Sequence, residues 1–233
     1  MKKAVLGIVS VALVFFMATC ICLGGLFVIQ PVSAFESGMK ILLDAGHGGV
    51  DGGVVGKTSR VKESDLNLAI VYKLKTELEE IGFEVVLTRK TEAGLYDAAT
   101  KGFKKRDMQK RKEIIERENP TMVLSIHQNF YPSQTPRGGQ VFYEKGNWAG
   151  ERLAIPIQKE LNALYEKEGV KSRNATYGEY FMLSCTKNPS VIVECGFLSN
   201  AKDEGLLLNE AWQKSLVERI AVGVLAYFSN ISA

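Results

Sequence analysis

The apolar positions of this chain fall into two periods. Short runs rich in Ile, Leu and Val predict β-strands at 40 to 44, 83 to 88, 121 to 127, 139 to 144, 179 to 183 and 190 to 194. Between them, apolar residues recur at helical spacing. The clearest such stretch runs from Ser64 to about Glu80, where Leu66, Ile70, Leu74, Leu78 and Ile81 share one stripe, Ser64 is the candidate N-cap and Gly82 the stop. Further helices are predicted at 105 to 118, at 149 to 168 with Pro156 as a point of irregularity, and at 210 to 228. Strands alternating with helices predict a single α/β domain. Its central sheet, mostly parallel and of about six strands, would carry helices on both faces, with 41 to 43, 122 to 126 and 191 to 193 in the middle.

The pattern changes at the N-terminus. Met1-Lys2-Lys3 precedes a nearly unbroken apolar run from Ala4 to about Ile29, as long as the roughly 20 residues that a membrane-spanning helix needs. Val32-Ser33-Ala34 resembles a small-residue cleavage site, yet the run exceeds the roughly 7 to 15 apolar residues of a signal core. This favours an uncleaved anchor while leaving a cleaved signal open. In either case the two lysines keep the start in the cytoplasm and everything after Phe35 is exported. The chain therefore divides into a membrane segment at 1–34, a connector at 35–39 and one domain at 40–233.

Composition adds little beyond this. With 46% hydrophobic and 24% charged residues the chain can bury an ordinary core, and a net charge of +3 spread among mixed lysines and glutamates gives no case for nucleic acid. Cys20 and Cys22 fall inside the apolar run, where Thr19 makes a poor lipoprotein cleavage box; Cys185 and Cys195 lie on the exported side, either paired or free.

The candidate chemistry sits where strands end. Both histidines of the chain occupy such exits: His47 in the turn Asp44-Ala45-Gly46-His47-Gly48-Gly49 and His127 after Met122 to Ile126. Glu194 ends the run Val191-Ile192-Val193. If these strands are parallel, the three side chains share one rim of the sheet, where open α/β sheets gather ligands. Two histidines suit zinc, and a catalytic site asks for a third protein ligand. Glu63, at the mouth of the strongest helix, is the candidate, with Asp51 and Asp65 as competing carboxylates. Such an ion activates water, and Glu194, beside it, is placed to carry protons as a general base. The glycines at 46, 48, 49, 52 and 53 let the chain turn sharply around His47, but match neither a P-loop nor a dinucleotide fingerprint.

Four stretches in order, Asp44 to Gly49, Lys62-Glu63 with Asp65-Leu66-Asn67, Ser125-Ile126-His127-Gln128-Asn129 and Val193 to Asn200, resemble the successive motifs of the zinc-dependent N-acetylmuramoyl-L-alanine amidases. The resemblance covers nearly all of residues 40 to 228. It implies a zinc-exopeptidase-like fold, Zn2+ held by His47, Glu63 and His127, Glu194 as the catalytic glutamate, and cleavage of the amide joining N-acetylmuramic acid to the L-alanine of the peptidoglycan stem peptide. Ala93 to Tyr96, Gly102 to Met108 and Arg137 to Tyr143 are similar to the sporulation subgroup, which prepares spore cortex for muramic-δ-lactam formation. That would place the domain between the two forespore membranes.

The stretch 89 to 110 is too short and too weakly periodic for the autoinhibitory helix of the division-associated branch. No wall-binding repeat follows the domain, so a membrane segment or a partner protein, one that also activates the enzyme, would supply its placement. Arg106 and Arg111 are candidates for substrate carboxylates against a solvated helix face, and Asn129 for orienting substrate or a ligand. Two other functions remain open: an exported zinc peptidase using the same groups, and an inactive peptidoglycan-binding protein.

Overall fold

A computed structural model describes residues 38–229. The membrane segment expected at 1–34 lies outside these residues, and among the described residues no helix is long and apolar enough to cross a membrane.

Six strands form one sheet: β1 (Lys40–Ala45), β2 (Glu84–Leu87), β3 (Met122–Asn129), β4 (Gln140–Tyr143), β5 (Thr176–Tyr177) and β6 (Ser190–Phe197), in the order β2-β1-β3-β6-β4-β5. β1 pairs in parallel with β2 and β3, and β3 with β6; β4 runs antiparallel to β6 and parallel to β5. The continuous apolar runs are explained by position. Leu42, Leu43, Leu124, Ile126, Val191 and Val193 have no solvent exposure, as expected of strands covered on both faces. Burying each such side chain stabilises the fold by about 1.5–3 kcal/mol before the entropy of ordering is counted.

Among the described residues six helices cover the sheet: α1 (Glu63–Ile81), α2 (Phe103–Glu118), α3 (Trp148–Glu166), the single turn α4 (Phe181–Ser184), α5 (Ala201–Leu208) and α6 (Glu210–Ser229). α6 packs against both α3 and α1, while α2 meets β1 and α4. The α1 stripe Leu66, Ile70, Leu74 and Leu78 is buried. Gly82, at φ 110°, ends this helix as expected, and the N–H groups of Gly82 and Phe83 donate to Glu79 and Leu78.

Three elements differ from the sequence expectation. The first helix starts at Glu63 after Lys62, and Ser64 does not cap it but bonds Asp65. Residues 179 to 183 form no strand: the short β5 lies earlier, and Phe181–Ser184 coil into a turn that buries Met182 and Leu183 on the sheet. α5 was not anticipated, although Asn200 announces it by accepting hydrogen bonds from the Lys202 and Asp203 N–H groups. Pro156 is held within α3, which continues to Glu166. Cys185 and Cys195 are both free thiols.

Candidate metal centre and catalytic cleft

The parallel register brings the strand exits together. Asp44 and Ala45 of β1 lie beside Ser125 and Ile126 of β3, and His127 is the register partner of Glu194 on β6. The β3–β6 register then shifts, from His127 opposite Glu194 to Asn129 opposite Phe197, so the ladder breaks just past this pair. His47 and His127 meet edge to face with ring centroids 5.0 Å apart.

Glu63 reaches both rings. Its Oε2 lies 3.3 Å from His47 Nε2 and its Oε1 2.9 Å from His127 Nδ1, and one ligand atom from each of the three residues lies within 4.8 Å of the others. Burial by itself would raise the Glu63 pKa, but the hydrogen bonds and charges of His127 and His47 outweigh it and hold the carboxyl well below its usual range. The same oxygens accept from the N–H groups of Val54 and Gln128, at 2.9 and 3.1 Å, and Oε1 also from Asn67 Nδ2 at 3.3 Å. Asn67, in turn, donates to the Gly46 carbonyl and accepts from Gln128 Nε2. Glu63 is thus fixed from its own helix, from the preceding loop and from β3.

Asp51, a competitor for metal ligation on sequence grounds, stands behind the first histidine. Its Oδ2 lies 3.1 Å from His47 Nδ1 and its Oδ1 3.2 Å from Lys104 Nζ. A carboxylate at Nδ1 leaves Nε2 as the ring nitrogen turned toward Glu63 and His127, the arrangement common behind metal-ligating histidines. Asp65 stays in the first turn of α1, away from the ligand cluster.

Two glycines make room for this cluster. A Cβ on Gly46 would fall 2.2 Å from the His127 ring, and one on Gly53, at φ 67°, would fall 2.4 Å from Glu63 Oε2. His47 itself adopts φ 62°, a left-handed conformation rare outside glycine. Arg111 secures it, donating from Nη2 to the His47 carbonyl at 2.6 Å.

Arg111 borders the cleft, but its guanidinium is committed to protein partners, and it is not on a solvated helix face either. It has no exposure, and also binds Asp44, Asp107 and the Ala45 carbonyl. The charge pattern of α2 concealed this because both acidic partners are needed, one four residues earlier and one on β1. Arg89, unassigned by the sequence, is a second buried arginine, donating to the carbonyls of Ala45, Gly46, Ser64 and Thr91. Asp44 also accepts from Thr88 and Ser125. Burial pushes its pKa up, but Arg111 and these hydroxyls more than offset that and keep it lowered. Arg106 is likewise occupied: it binds the Ala98, Thr100 and Lys101 carbonyls and orders the loop before α2. Asn129 caps the adjacent Phe130 N–H at 2.7 Å and does not line the cleft.

Glu194 is buried beside the cluster, and its Oε2 finds no hydrogen-bond partner in the protein. Burial, helped by the Glu63 charge, pushes its carboxyl up to about 7 against the opposing pull of the two histidines. Next to it a cleft of about 260 Å3 runs along the sheet, walled by Phe103, Met108, Tyr180, Phe181, Met182 and Ile192. The α4 side of this wall is the stretch whose apolar run predicts a strand and which the structure coils.

Two histidines and a carboxylate with their ligand atoms converging, glycines clearing the space, and a neighbouring carboxyl with an unpartnered buried oxygen fit a divalent cation of the kind that activates water. Fold and site together define a hydrolase class in which an α/β sheet presents a His–Glu–His set at its rim. Residues 41–226 match the sequence model of Amidase_3, N-acetylmuramoyl-L-alanine amidase, and the chain belongs to this family. It is a peptidoglycan amidase. The germination-specific N-acetylmuramoyl-L-alanine amidase of Bacillus subtilis (strain 168) is 36% identical over 204 residues, covering 86% of this chain and 84% of that protein. Among solved structures, the CwlD amidase of Clostridioides difficile in complex with the GerS lipoprotein superposes with a TM-score of 0.78 at 36% identity, over 82% of this chain and 99% of that one. The catalytic domain of CwlV from Bacillus (Paenibacillus) polymyxa var. colistinus gives 0.70 at 29% identity, over 82% and 98%.

Proposed function

We propose that this enzyme hydrolyses the N-acetylmuramoyl–L-alanine amide in spore cortex, with Zn2+ held by His47, Glu63 and His127 and with Glu194 as general base. The observation that carries the reading is the convergence of those three ligands, within 4.8 Å of one another, beside a buried carboxyl with an unpartnered oxygen. When bound, the cation supplies Lewis acidity, polarising the scissile carbonyl and making water a nucleophile near neutral pH. The protein does the rest. Glu63, His47 and His127 are held in ligating geometry by Asn67, Asp51 and the surrounding N–H groups. Glu194 takes the proton of the attacking water and passes it to the departing alanine nitrogen, a role that suits a carboxyl with a raised pKa. The apolar wall of Phe103, Met108 and Phe181 excludes water from one side of the cleft.

The cortex role is supported by 36% identity to a germination-specific amidase that matches over most of both chains. The N-terminal apolar segment inserts in the membrane, and the domain is exported, in a sporulating cell to the space between the forespore membranes. A related amidase of known structure is in complex with a lipoprotein, which supports a partner protein, also membrane-held, that activates this enzyme.

Digestion of purified spore and vegetative peptidoglycan by the full chain tests this reading. Intact stem peptides beginning with alanine are the expected products. Cleavage confined to bonds within those peptides would make the enzyme a zinc peptidase instead.

A further inference from the structure

The end of the sheet opposite the catalytic rim carries a cluster of exposed aromatic side chains. β4 descends from Gln140, opposite Glu194, to Tyr143, opposite Val191, and Tyr143 pairs with Tyr177 of β5. The chain then turns through Lys145, Gly146 and Asn147 into α3. Trp148, the first residue of that helix, is 77% exposed and Tyr177 54%, and Lys145 lies over the Tyr177 ring at 5.3 Å. Trp148 is not on a frayed end: Asn147 caps the helix by accepting from the Gly150 N–H at 2.9 Å. Lys187, also exposed, sits in the loop that enters β6 at the same pole.

The described chain begins at this pole too. Lys40 opens β1, opposite Glu84 of β2, at the end of the sheet remote from His127 and Glu194. The nine residues from Gln30 to Gly38, between the apolar run and the domain, reach at most about 30 Å. With the apolar run inserted in a membrane as proposed above, that reach bounds the distance of the N-terminal pole from the bilayer. Trp and Tyr favour the bilayer interface, with an apolar ring and a polar tip, and lysines favour anionic headgroups. Of the nearby acids, Glu84 and Glu118 are paired with Lys40, Glu151 accepts from Tyr143, and Glu144, beside Lys145, is half-buried with one oxygen turned away from solvent.

We propose that the Trp148–Tyr177–Lys145 patch rests on the surface of the membrane that holds the N-terminal segment, so that the catalytic cleft faces away from it. This rests on the membrane insertion proposed above. Counted from Met122 to His127 on β3 and from Ser190 to Glu194 on β6, at about 3.3 Å of rise per residue, the catalytic rim stands roughly 15 Å above the far end of the sheet. The enzyme would then cut glycan strands at a set height from the bilayer.

The test uses the full chain in vesicles of phosphatidylglycerol and phosphatidylethanolamine. Trp212 is the other tryptophan and packs edge-on against Tyr165, so Trp212→Phe keeps an aromatic ring there and leaves Trp148 as the reporter. Should that variant misfold, the difference between wild-type and Trp148→Ala emission gives the same signal. The expected result is a chain that floats with the vesicles, with Trp148 emission blue-shifted, quenched by brominated acyl chains and several-fold less accessible to acrylamide. A floating chain whose Trp148 stays fully open to acrylamide overturns the patch contact while leaving membrane insertion standing. So does a Trp148 signal unmoved by lipid that shifts on adding peptidoglycan fragments, which would assign the patch to the wall. A chain that does not float overturns both.

Discussion

Glu194 and Asp51 carry the sharpest expectations at the residue level. Glu194→Gln keeps the side-chain shape, so the account expects zinc to stay bound at one per chain while turnover falls by a factor of about 10²–10⁴. Activity assays with metal analysis of the same sample check both. The substitution also has a stability signature in the metal-free protein. The Glu194 carboxyl is raised to about 7 when folded, whereas an unfolded glutamate ionises near 4.3. Below that lower value both states are protonated and nothing is lost. As pH rises from about 4 to 7 only the unfolded chain ionises, so stability drains away and then levels off. Metal-free Glu194→Gln should therefore be more stable than wild type at pH 8, by on the order of 3 kcal/mol, and no more stable at pH 4. Urea titrations at the two values decide; equal curves at pH 8 would show that the buried carboxyl carries no such penalty. Asp51→Asn removes the charge behind His47 Nδ1. Zinc affinity, measured by competition with a chelator, should fall about 10–100-fold with little change in the far-UV spectrum.

Among the elements, the joint between α2 and β1 deserves the first experiment. Arg111 bridges Asp44 and Asp107 without any exposure. Arg111→Met leaves two buried carboxylates without their cation, which should destabilise by about 3–5 kcal/mol and release the His47 turn. Replacing Arg106, whose partners are loop carbonyls, should cost far less. Chemical denaturation of the two variants separates the cases. The strand positions were legible in sequence because these strands are covered on both faces and read as unbroken Ile, Leu and Val runs. What failed has a common cause. Tyr180 to Leu183 is apolar enough to pass for a strand, yet only tertiary packing against β6 and α2 decides that it coils. Arg111 looked solvated because the partner that buries it lies 67 positions away in the chain. His47 and Glu63 were visible because they sit in a glycine turn and at a helix start, and His127 and Glu194 because each follows an unbroken apolar run, although β3 and β6 continue past them to Asn129 and Phe197.

For the whole molecule, the metal and the buried acids set the limits of stability. If the centre binds zinc tightly, ion at a thousandfold excess over its dissociation constant adds about 4 kcal/mol, so chelation should lower the melting temperature by several degrees. Asp44 and Glu63 both have lowered folded pKa values. Their contribution is present above the unfolded carboxylate range near 4 and is lost as pH falls through the folded values. The metal-free domain should accordingly unfold in acid, in a transition that begins below about pH 4 and is blunted in Asp44→Asn. The central claim is that three groups distant in sequence hold one ion, and anomalous diffraction at the zinc edge addresses it directly. The account predicts a single strong peak bonded to His47, Glu63 and His127 with Glu194 beside it but outside bonding distance. A peak elsewhere, or an ion at this rim held by a different set of side chains, would contradict it.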